Sequence, residues 1–165
     1  MINSNPSLIP PSPVSSASPR GKHALAVAIA TFGFLGFADA GYLAAEHYIP
    51  LPLPCSLTQG CDVVLHSAYA TVFGLPVALF GALYYLAVFI IAIHYLLDGM
   101  TKRKLISLIA YLTGAGLVFS AFLIYLQGFV IRQWCLYCLG SATITTILFI
   151  LSLLLLRAPS ELAEL

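Results

Sequence analysis

The chain has 165 residues, 61% of them hydrophobic and only 8% charged, with a formal net charge of +1. An average soluble domain is roughly one-half apolar and one-quarter charged, so most of this surface must face lipid rather than water. The length suits one domain, and the near-zero charge gives no footprint for nucleic acid or acidic ligands.

Residues 1–22 form an expected disordered cytoplasmic tail, rich in Ser and Pro (Pro6, Pro10, Pro11, Pro13, Pro19) and closed by Arg20 and Lys22. The membrane domain is expected over residues 23–157, followed by a short cytoplasmic tail at 158–165. Its first apolar stretch runs from Ala24 to about Glu46 and is interrupted only by Asp39. A competing reading takes Ala24 to Phe37 as a signal-peptide core with Ala38-Asp39-Ala40 as the cleavage site. Apolar sequence continues through Tyr42, Leu43 and Ala45, which favours a retained span.

Three more apolar stretches follow: about Phe73 to Leu97, Leu105 to Ile131, and about Gln133 to Leu156. Each exceeds the roughly 20 residues needed to cross the hydrocarbon core, and backbone exposed to lipid must satisfy its own hydrogen bonds, so each is expected to be helical. The fold class is therefore all-α and integral to the membrane, a bundle of four transmembrane helices. Between the first two helices, Pro50, Pro52 and Pro54 favour an extended arm. After Cys61 the segment DVVLHSAYATVF is expected to fold as a short interfacial helix over the bundle. Pro76 falls in the expected first turn of the second span, where proline costs little. Ala110, Gly114 and Gly116 allow close packing of the third.

Arg20, Lys22, Lys102, Arg103, Lys104 and Arg157 flank one side of the bundle, and only Arg132 lies on the other. The positive-inside rule then places both termini in the cytoplasm and both cysteine pairs outside. Cys135 and Cys138 are spaced i, i+3 at the expected start of the fourth helix, so they share a face and can form a disulfide. A helix N-terminus favours thiolate, the nucleophile of disulfide exchange. This pair sits at the edge of the hydrocarbon, within reach of a lipid-soluble oxidant. Cys55 and Cys61 enclose SLTQG in a loop expected to meet water and a protein substrate.

Two structural disulfides stapling the outer loops would give an inert membrane bundle, the main alternative. A zinc site is disfavoured by the five-residue spacing and an oxidising exterior. Haem attachment needs a histidine where Leu139 stands. A redox relay accounts for more, since one pair is exposed, one lies beside lipid, and both occupy one compartment.

The loop pair Cys55 and Cys61, the run CDVVLHSAYATVFGLPVALFG and the CLYC opening the last helix resemble the vitamin K epoxide reductase family, specifically its bacterial homologues. The resemblance spans about residues 25–156 and includes Ser67 and the Phe73-Gly74 pair. Another family of four-span thiol oxidases carries its CxxC in the first outer loop rather than the second.

The resemblance implies a quinone (ubiquinone, menaquinone or phylloquinone) bound inside the bundle, with Cys55, Cys61, Cys135 and Cys138 as catalytic residues. It implies reoxidation of a thioredoxin-like dithiol oxidase outside the bacterial inner membrane, on the periplasmic side, in support of disulfide bond formation. Many bacterial members carry that partner as a fused domain; here a separate protein is expected, with this chain acting as a monomer. Ala142 stands where vertebrate members have a tyrosine, which favours plain quinone reduction over epoxide reduction.

Ser67 and Phe73 are the residues expected to bind or assist the quinone. Asp39, roughly 10 Å from the outer end of its helix at 1.5 Å per residue, is a candidate for handling protons. His47 and His66 read as interfacial residues, and Trp134 and Tyr137 as an aromatic belt.

Overall fold

A computed structural model of the chain describes residues 19–49, 60–97 and 102–157. Residues 19–22, expected in the N-terminal tail, instead open the first helix, where proline is tolerated in the first turn; residues 1–18, the C-terminal tail at 158–165 and the proline arm that carries Cys55 lie outside the described residues.

Four helices are long and apolar enough to cross a membrane. The first, α1 (Pro19–Tyr48), is followed by a short helix α2 (Gly60–Leu65) and a two-stranded hairpin, β1 (Thr71–Val72) and β2 (Leu75–Pro76). Then come α3 (Val77–Leu97), α4 (Lys102–Tyr125) with a π-helical continuation over Leu126–Ile131, and α5 (Leu136–Arg157). Helix α1 packs on α3 and α5, and α4 packs on α3 and α5, so the four spans close a ring in chain order. The loops joining α1 to α3 and α4 to α5 consequently lie at the same end of the bundle.

Small side chains on α1 (Ala26, Ala30, Ala40) face Ala82, Val88 and Ala92 of α3 in the buried core, the packing that drives helix association where lipid is as apolar as the interface. Hydroxyls cross-link the helices. Thr113 of α4 meets Ser152 of α5 at 3.0 Å. The Tyr85 hydroxyl of α3 donates to the Ser141 carbonyl at 2.7 Å and lies 2.8 Å from the hydroxyls of Ser141 and Thr145 on α5. Large apolar side chains such as Phe34, Leu83, Ile90, Val118 and Phe122 point outward, as lipid requires.

Further boundaries differ from the sequence expectation. The short helix after Cys61 ends at Leu65, and the rest of that segment forms a turn and the hairpin. Phe73 and Gly74 occupy the two-residue loop with φ of 53° and 79°, the left-handed geometry that matches strand twist in tight hairpins. Pro76 therefore ends β2, immediately before α3. Finally, α5 begins at Leu136 rather than Gln133, because Arg132 adopts a left-handed conformation (φ 57°) that terminates the preceding helix.

Candidate active site

The site is assembled at the loop end of the bundle from two short pieces of chain, α2 and the 132–135 connection. Gly60 permits their approach. A Cβ on Gly60 would lie 2.6 Å from the Trp134 carbonyl oxygen and 3.0 Å from its amide nitrogen, so only glycine fits there. The contact brings Cys61, the next residue, into one buried cluster with Val64 and Cys135, against which Cys138 and Tyr137 pack. Cys61 and Cys135 are both 0% exposed. The Cys135 side chain is hydrogen-bonded to both Cys138 and Cys61. Sequence places Cys61 and Cys135 in separate loops; the fold puts them in contact.

Gln127 holds the second piece. It lies in the π-helical turn and is buried. Its backbone carbonyl accepts the amides of Arg132 and Gln133, while its side-chain Oε1 accepts the Cys135 N–H at 3.0 Å. The π turn thus supplies an extra residue whose polar groups fix the cysteine loop, in keeping with the placement of such turns at functional sites.

Cys135 is the N-cap of α5: its Sγ accepts the Cys138 N–H at 3.4 Å and its carbonyl accepts the Leu139 N–H. The expected activation of its thiolate by the helix N-terminus is not what the geometry gives. The hydrogen bond to Cys138, with burial second, pushes the Cys135 thiol above its ordinary range. A thiol held neutral in this way is a weaker nucleophile than a thiolate.

Cys138, one turn on, packs against this cluster from the other side. It lines a cavity of about 550 Å³ enclosed by α1, α3, α4 and α5 and roofed by α2 and the hairpin. The walls are mainly apolar and aromatic, with Leu112, Phe119 and Leu123 on the α4 side and Tyr84 and Tyr85 on α3. Gly116 admits the Tyr84 phenol, which would stand 2.5 Å from a Cβ there. A flat apolar head group with a few polar atoms fits such a space.

The remaining expected residues are placed unequally. Ser67 lines the cavity, and its hydroxyl donates to the Val64 carbonyl at 2.8 Å, closing the end of α2. Phe73 also borders the cavity, at the hairpin tip, with its ring 98% exposed. Asp39 is half-buried, within electrostatic reach of Tyr85, but is not among the cavity's lining residues. Tyr137 packs against Tyr42 and the cysteine cluster rather than belonging wholly to the lipid interface.

Sequence reasoning missed Glu46, Gln127, Tyr85, Ser141 and Thr145. The last two offered a signal, because they stand i, i+4 on one face of α5, one turn beyond Cys138. Residues 27–153 match the model of the Vitamin K epoxide reductase family.

Proposed function

Because the chain belongs to the vitamin K epoxide reductase family and is thereby a membrane oxidoreductase of thiols and disulfides, we propose that it passes electrons from Cys55 and Cys61 through Cys135 and Cys138 to a quinone held in the bundle. The observation that carries this reading is the division of the CxxC pair. Cys135 touches Cys61 in a dry cluster, and Cys138 stands on the wall of the apolar cavity.

The cycle begins with the Cys55–Cys61 and Cys135–Cys138 disulfides formed. A reduced thioredoxin-like partner attacks Cys55, releasing Cys61, and its own second thiol completes reduction of the loop pair. Cys61 then attacks Cys135, forming a mixed disulfide and freeing Cys138. Cys55 resolves that bond, restoring the loop disulfide and leaving Cys135 and Cys138 as a dithiol. Bound in the cavity, a quinone supplies a two-electron, two-proton acceptor. Cys135 and Cys138 re-form their disulfide, giving up two electrons and two protons.

Tyr84, Phe119 and Leu123 would hold the ring, and Ser141, one turn from Cys138, offers a hydroxyl beside it. Ser67 assists by tying down the helix that carries Cys61. Phe73 guards the outer rim. The basic residues support an orientation with both termini in the cytoplasm and the cysteines on the periplasmic side of a bacterial inner membrane.

Purified protein in lipid nanodiscs, supplied with dithiothreitol and a soluble quinone, tests this. Wild type should reduce the quinone, and Cys138→Ala should not, while accumulating a Cys61–Cys135 disulfide. Cys55→Ala should keep activity with dithiothreitol and lose it with a protein dithiol. A bundle with inert disulfides would show no thiol turnover in any of these.

A further inference from the structure

We propose that Glu46 is the proton donor to the quinone, a role that rests on the function proposed above. Glu46 lies in the last turn of α1 and lines the same cavity as Cys138. It is 8% exposed, and its Oε2 is buried with no hydrogen-bond partner among the described residues. A buried acid with an unpartnered oxygen at the end of a membrane helix is costly to keep and points to a functional position. Asp39, the other acid of α1, does not line the cavity.

The other titratable groups that line this cavity are His47 on α1, Tyr69 before the hairpin, Tyr84 and Tyr85 on α3, and Cys138 on α5; α4 contributes only neutral side chains. Of these, His47 leads outward. Its ring stacks on His66 with centroids 6.5 Å apart, and the His66 side chain is 54% exposed. Glu46 and His47 thus line the same cavity, and the His47–His66 pair leads from it to water.

The balance is as follows. Two S–H bonds break, the Cys135–Cys138 bond forms, two electrons pass to the quinone, and two O–H bonds form on it. The Cys138 proton goes to one quinone oxygen. Glu46 gives its proton to the other and regains one from the outer water through His47 and His66. The Cys135 proton leaves to that same water, so the net transfer is two protons and two electrons from dithiol to quinone.

Glu46→Gln keeps the shape and removes the transferable proton. In nanodiscs with dithiothreitol and a soluble quinone, its kcat should fall about a hundredfold with an unchanged quinone KM. Glu46→Asp should recover part of the rate. As a readout independent of turnover, wild type should show a carboxyl band in the infrared difference spectrum on quinone addition to the reduced protein. Glu46→Gln should lack that band, and Asp39→Asn should keep it. Wild-type kcat in Glu46→Gln would overturn the role, as would loss of Cys61–Cys135 pairing in that variant, which would make Glu46 structural. If wild type itself passes no electrons to quinone, the function falls and this role with it. If wild type turns over and Glu46→Gln keeps pace, only the role of Glu46 falls.

Discussion

Gly60→Ala tests whether contact between the two cysteine loops sets the rate of internal exchange. The new Cβ would lie 2.6 Å from the Trp134 carbonyl oxygen, against 3.4 Å for ordinary contact, so α2 must retreat by about 0.8 Å. The obstacle is backbone, fixed by Gln127, and cannot rotate away. Overpacking of this kind costs about 1–3 kcal/mol. A misplacement near 1 Å in a reacting pair can slow the reaction about a hundredfold. Formation of the Cys61–Cys135 disulfide, measured in a Cys138→Ala background by alkylation and non-reducing electrophoresis, should therefore slow by about tenfold to a hundredfold. Gly140→Ala is the control, since a Cβ there meets nothing within 4 Å. Equal rates in the Gly60→Ala and control proteins would refute the claim that Gly60 sets the meeting of Cys61 and Cys135.

Gln127→Ala leaves the buried Cys135 amide without its acceptor, so the thermal midpoint in detergent should fall, reflecting about 1–3 kcal/mol; Gln127→Glu, which keeps an oxygen acceptor, should lose less. Gly116→Ala forces the Tyr84 phenol from a position 2.5 Å away into the cavity, so the quinone KM should rise while disulfide pairing, read by alkylation, is unchanged. For Cys135 the folded thiol is raised, so its neutral form is favoured. That stability is full below the ordinary thiol value of 9.0 and is lost as pH rises above it. In reduced protein, Cys135 should therefore resist alkylation up to about pH 9 while the unfolded chain reacts, as mass spectrometry of the labelled peptides would record; rapid labelling of native Cys135 near neutral pH would contradict this.

The spans were legible because lipid imposes a one-dimensional constraint: any crossing helix must be long, apolar and self-satisfied. The closeness of Cys135 and Cys138 was legible for a similar reason, since their i, i+3 spacing is local. What could not be read depended on distant backbone. Gly60 reads as loop flexibility until Trp134 is set against it. Gln127 reads as one polar residue near a helix end until the π turn rotates it toward Cys135. Between the two acids of α1, depth alone favours Asp39, yet the cavity is lined by Glu46. Which acid meets the cavity depends on how the helix is rotated in the bundle, and an all-round apolar helix gives no moment from which to read that rotation.

On the relay proposed above, the same fold would let one CxxC serve two partners without short-circuiting them. A dithiol open to both water and quinone would let any external thiol reach the oxidant. Here Cys135 is fully buried under α2, with Cys61 as the loop cysteine in contact with it. Its raised thiol makes it a poor nucleophile toward outside disulfides. In the proposed relay, attack on its sulfur would expel the Cys138 thiolate at the first turn of α5, where the helix N-terminus favours developing negative charge. The leaving sulfur lines the apolar cavity. In the proposed relay, accepting electrons and delivering them would thus fall to different atoms, separated by one helical turn. The N-cap bond from the Cys138 amide to the Cys135 sulfur ties these atoms together, so the pair is held ready to close its disulfide again.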